Sequence, residues 1–99
     1  MNKNDDQPEI LEAQWGRDQV NAFFEDLKQG ADGEHVQVRS ISERGPIDRS
    51  VTLSDAHDLF ANDDAKAIQI RYRFEEDGWC DTLMVFPDHV KIIRTRVNA

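Results

Sequence analysis

No run of apolar residues in this sequence approaches the roughly 20 that a membrane-crossing helix needs, and the amino-terminal MNKNDDQPE lacks the apolar core of a secretory signal. Membrane insertion and Sec-type export are therefore not expected. Cysteine is almost missing. Cys80 stands alone, so no intrachain disulfide can form, and the composition fits a reducing cytoplasm. Glycine and proline are few, 5 and 3, and gather into no linker, while no internal repeat or low-complexity run interrupts the chain. The glycine-rich strings of dinucleotide sites, phosphate-binding loops and hydrolase nucleophile elbows do not occur, which removes the usual anchors for those chemistries. His35, His57 and His89 are far apart in sequence, and no CxxC, HxH or HExxH spacing brings metal ligands together.

Basic charge is also scarce. Lys and Arg number 12 against 20 Asp and Glu, a net charge of -8. The excess acid is local: residues 1–64 carry six basic and fifteen acidic side chains, whereas residues 65–99 carry six basic and five acidic. Most of such a surface repels phosphate backbones, so nucleic acid and anionic membranes are unfavourable partners. What remains is a chain of 99 residues with 38% hydrophobic content, enough for one small core. Residues 1–7 form a polar, acidic segment without apolar periodicity and are expected to be a disordered tail, leaving 8–99 as a single domain.

Pro8 suits the first turn of a helix, with Ile10, Leu11 and Trp15 as a short apolar patch. Val20, Phe23, Phe24 and Leu27 follow at i, i+3, i+4 and i+7, which predicts an amphipathic helix over 17–29 with a break before it at Gly16. His35–Ser42 is expected to be a strand closed by Arg44-Gly-Pro46, and Thr52 or Ser54 to cap a short second helix that ends at Asn62-Asp-Asp64. Ile68, Ile70, Tyr72 and Phe74 then alternate with polar residues, and Trp79–Phe86 and His89–Val97 complete an antiparallel meander. The predicted fold is two-layer α+β: helices on one face of a mainly antiparallel sheet, in the order α-β-α-β-β-β.

Treating Glu75-Glu-Asp-Gly78 as a four-residue turn sets Phe74 opposite Trp79 and Tyr72 opposite Asp81, and the Pro87-Asp88 turn sets Asp81 beside Arg94. One sheet face then has an apolar end and an aromatic, charged end made of Phe74, Tyr72, Trp79, Asp81, Arg94 and Arg96, of which Tyr72, Trp79, Asp81, Arg94 and Arg96 form the candidate polar cluster. The bland role for this cluster is a salt bridge at the rim of the core; the functional one is recognition of an anionic or polar ligand, with Asp81 orienting the guanidinium. The opposite face carries Arg71, Arg73, Met84, Lys91 and Ile93, together with Phe86, and has no convincing helix left to cover it. Those residues are the candidate interface.

Cys80 with His89 or His57 offers only residue types for nucleophilic catalysis, and a lone cysteine on a strand is ordinarily a small hydrophobe. No catalytic, cofactor-binding or metal site is therefore assigned. The expected function is a small cytoplasmic, non-catalytic accessory or regulatory module acting by protein–protein contact, with a homodimer as one form of that contact. The alternatives are an acidic inhibitor or immunity-type protein that meets a basic target, and a small-ligand binder or enzyme built on Tyr72, Asp81 and Arg94. A concave pocket at that cluster favours a ligand, and a flat apolar sheet face favours a protein.

Overall fold

The computed structural model describes residues 10–30, 32–42 and 44–97. The chain runs β1 (Ile10–Trp15), α1 (Arg17–Gly30), β2 (Asp32–Ser42), β3 (Gly45–Val51), α2 (Leu53–Ala61), β4 (Ala67–Phe74), β5 (Asp77–Val85) and β6 (Val90–Val97). All six strands join one sheet, in the order β1-β6-β5-β4-β2-β3, and every neighbouring pair is antiparallel. Both helices bury their apolar residues with Val36, Val38, Ile68, Ile70, Leu83, Val90 and Ile92 in a single core, which makes a two-layer α+β domain. No helix among the described residues is long and apolar enough to cross a membrane.

The apolar stripe of α1 buries Val20, Phe23, Phe24 and Leu27, the four residues whose spacing marks the helix in the sequence. The backbone N–H of Gly16 donates to the Gln19 side chain at 3.0 Å, satisfying a donor where the chain turns from β1 into the helix. Thr52 caps α2, its hydroxyl accepting the Asp55 N–H at 3.0 Å, and Leu53, Ala56 and Phe60 face inward. At the far end Asn62 caps the last turn, and Asp63, at φ 62°, pairs with Arg17, tying the end of α2 to the start of α1.

Two strands replace expected loops or helix. The segment read as a helical patch beginning at Pro8 is, over its described part, the edge strand β1 paired with β6. Here Leu11, Ala13 and Trp15 share one side and Trp15 packs edge-on against Phe23, with centroids 5.4 Å apart. The tail expected over residues 1–7, and Pro8 itself, lie outside the described residues. At the other edge, Arg44-Gly-Pro46 does not close β2 into a loop. Instead Gly45, at φ 107°, opens β3, which is mostly exposed and is held by pairing with β2.

The first hairpin of the meander also differs. Its turn is two residues, Glu75-Glu76, with Glu75 at φ 59°, so Phe74 pairs with Asp77, Tyr72 with Trp79, Ile70 with Asp81 and Ile68 with Leu83. The register is thus displaced by two residues from the expected pairing, which leaves every side chain on its expected face. Gly78 is needed for approach rather than for the turn, because a Cβ there would stand 3.0 Å from the Val97 carbonyl oxygen. The second hairpin pairs as expected, with Val85 against Val90, Leu83 against Ile92, Asp81 against Arg94 and Trp79 against Arg96.

Candidate functional site

Strand alternation places Tyr72 on β4, Trp79 and Asp81 on β5, and Arg94 and Arg96 on β6, all on the helical side of the sheet. Their geometry is ordered from the inside out. Asp81 is fully buried. Its carboxylate accepts from Arg94 Nε and Nη2, both at 2.9 Å, and from the Tyr72 hydroxyl at 2.8 Å. Three charge-assisted hydrogen bonds satisfy a group that would otherwise be costly to remove from water. The pair is therefore not the exposed rim bridge expected from its place in the meander: the acid is in the core, while the Arg94 side chain is one-third exposed.

That guanidinium is held on both sides. Its central carbon lies 6.0 Å from the centroid of Phe23 and 5.9 Å from that of Trp79, within cation–π range, while Arg96 covers Trp79 at 5.6 Å and pairs with Asp77 at 2.9 Å. Burial, with the Asp81 carboxylate beside it, pushes the Tyr72 hydroxyl well above its ordinary pKa, so Tyr72 remains a proton donor at neutral pH. Asp81, in turn, raises the pKa of Arg94, which stays charged.

The cluster opens into a cleft of about 240 Å³ between α1 and the sheet, lined by Phe23, Asp26, Leu27, Tyr72, Phe74, Trp79 and Arg94. Phe23, Asp26 and Leu27 were not among the expected site residues. Phe23 and Leu27 read from the sequence as core, which they are, but α1 lies so that their outer edges also wall the cleft. Phe74, 48% exposed, closes the far side over Gly30.

The candidate interface residues are distributed over the other face. Arg71, Met84, Lys91 and Ile93 project there from β4, β5 and β6, with Arg73 at the end of the same row. Arg71 and Arg73 are exposed and have no ion pair among the described residues, whereas Lys91 reaches Glu12 at 3.6 Å and Arg39 is paired with Asp48 at 2.8 Å. Ala67 is short, and between Arg39 and Met84 it leaves a hollow of about 330 Å³ with Gln37, Gln69 and Thr82 around it. Phe86 stands off this face, at the β5–β6 turn, where it stacks on His89 with centroids 4.8 Å apart.

Cys80 is half-buried on the open face, in a row between Arg71 and Thr95, while His57 and His89 belong to other places in the fold. Among the described residues no group of three or more His, Cys, Asp or Glu stands together as a metal site. His57 bridges the helices: its Nε2 lies 2.9 Å from Asn21 Oδ1, its Nδ1 lies 2.9 Å from Lys28 Nζ, and its ring stacks on Phe24 at 4.6 Å. Comparisons with protein-family models, with curated proteins and with solved structures find no match to this chain.

Proposed function

We propose that the chain is a small, non-catalytic accessory module that works in the cytoplasm by protein–protein contact through the uncovered face of its sheet. The observation that carries this reading is charge of the wrong sign for the molecule. On a protein of net charge -8, Arg71 and Arg73 stand exposed toward one end of the face that carries Met84 at its other end, without acidic partners among the described residues. Such a patch suits an acidic counter-surface, and the hollow over Ala67 supplies a socket for a side chain at its edge. The helical layer of a second copy qualifies as that counter-surface, since Asp18, Glu25, Asp26, Asp55 and Asp58 are all exposed on it. The same acidic layer favours a second reading, an inhibitor or immunity-type protein bound to a basic target.

The test compares wild type with Met84→Glu, which puts a negative charge into the patch without touching the core. Sedimentation velocity reports self-association, and affinity capture from the native cells reports partners, with circular dichroism as the control for folding. The contact reading expects an assembly or partner present for wild type and lost for Met84→Glu. A wild type that is monomeric at high concentration, with the same captured proteins for both, removes it.

A further inference from the structure

We propose that the cleft between α1 and strands β4 and β5 binds a free α-amino acid with an apolar side chain, its carboxylate on Arg94 and its ammonium on Asp26. The cleft lies on the helical side of the sheet, opposite the uncovered sheet face, and shares only Asp26 with the acidic layer named as a counter-surface, so this inference does not rest on that one.

The argument begins with which edges of Arg94 are in use. Asp81 takes the Nε and Nη2 edge, leaving Nη1 and the second N–H of Nη2, an end-on fork of the shape that matches a carboxylate. Apart from the Tyr72 hydroxyl, which stands close beside the guanidinium, this fork has no acceptor among the described residues. The rings of Phe23 and Trp79 hold the guanidinium in place before any ligand arrives, so little side-chain freedom is lost on binding.

Charge then selects the ligand. Asp81 already balances Arg94, and Asp26, exposed on α1 at the cleft, has no ion pair among the described residues. A ligand with a carboxylate alone would add a second negative charge beside Asp26, and one with an ammonium alone would approach Arg94 with nothing to give it. A molecule carrying both, joined to an apolar body, satisfies every group. Phe23, Leu27, Phe74 and Trp79 supply the apolar walls, and about 240 Å³ suits a molecule of amino-acid size, below the roughly 300–1,000 Å³ of sites for larger ligands.

The probes are L-leucine, N-acetyl-L-leucine, which keeps only the carboxylate, and L-leucinamide, which keeps only the ammonium. Heteronuclear NMR titration locates binding, and tryptophan fluorescence follows it. L-leucine is expected to saturate, with shifts confined to residues around 23–27, 72–79 and 94. Each analogue should bind about tenfold or more weakly, the scale of one lost charge-assisted hydrogen bond. Asp26→Asn should weaken L-leucine by a similar factor and leave N-acetyl-L-leucine no weaker. Because Arg94→Gln strands Asp81 in the core and can prevent folding, Phe74→Ala serves as the second variant, and it should lower affinity at an exposed wall. No saturable shift with millimolar L-leucine would overturn the proposal. N-acetyl-L-leucine binding as tightly as L-leucine would overturn it in favour of a peptide carboxyl terminus, and so would affinity for L-leucine unaltered by Asp26→Asn.

Discussion

Arg94 grips Asp81 side-on, with Nε and Nη2 each 2.9 Å from a carboxylate oxygen, and the acid is fully buried while the arginine side chain is one-third exposed. Removing the acid leaves a cation and the Tyr72 hydroxyl without their acceptor. Asp81→Ala is expected to cost about 3 kcal/mol, the lower end for breaking a buried pair, because Arg94 can partly rehydrate. Tyr72→Phe removes one of the three hydrogen bonds and should cost about 1.5 kcal/mol. Urea titrations of both variants check this, and a loss for Asp81→Ala no greater than for Tyr72→Phe would mean that the pair contributes little.

Tyr72 is the chain's one tyrosine, which makes its titration directly visible. Burial and then the neighbouring Asp81 charge raise its folded pKa well above the ordinary 10.0. The folded state therefore holds this proton at pH values where the unfolded chain has released it. The resulting stability is complete below about pH 10 and is lost as pH rises from there toward the folded pKa. Near-ultraviolet absorbance at about pH 10 should show no tyrosinate in the native protein and about half ionisation in urea. Half ionisation in the native state at that pH would place the hydroxyl in solvent.

Leu83 is fully buried and lies between Ile68 and Ile92 in the sheet. Leu83→Ala should destabilise the fold by about 2–4 kcal/mol, through lost transfer energy and the cavity left behind. A change below about 0.5 kcal/mol in urea, typical of a surface site, would contradict its burial.

His57 supplies the pH dependence on the acid side. Burial, and then the Lys28 ammonium, lower its pKa against the opposing pull of Glu25 and Asp58. The unfolded chain therefore takes up this proton first. Its contribution to stability is full above about pH 6.5 and is lost as pH falls from there toward the folded pKa. Wild type should lose stability relative to His57→Gln as pH is lowered through this window, and a constant difference between the two would show that the bridge to Lys28 and Asn21 does not titrate.

Much of this fold is legible along the chain because its signals are local. The spacing of Val20, Phe23, Phe24 and Leu27 marks the buried stripe of α1, Thr52 is the cap of α2, and alternation in β4 to β6 sorts Tyr72, Trp79, Asp81, Arg94 and Arg96 onto one face. Even β1 carries a signal, since Leu11, Ala13 and Trp15 alternate with Glu12 and Gln14, but Pro8 and Gly16 around it make a short helix look as plausible. β3 carries none: Gly-Pro-Ile-Asp-Arg-Ser-Val has no buried alternation, and its strand geometry comes from hydrogen bonds to β2.

Residue type and periodicity thus determined by themselves which side chains share a face, because strand parity survives a displacement of two residues. The tertiary structure decided the rest. Gly78 looks like a turn residue, yet it is the close approach of Val97 that calls for a glycine there, and Glu75 takes the positive φ instead, which sets the hairpin register. The burial of Asp81 and the cleft above Arg94 depend on how α1 lies across the sheet, bringing Phe23, Asp26 and Leu27 to β4, β5 and β6. That placement arises from packing between segments far apart in sequence, and no local pattern of residues encodes it.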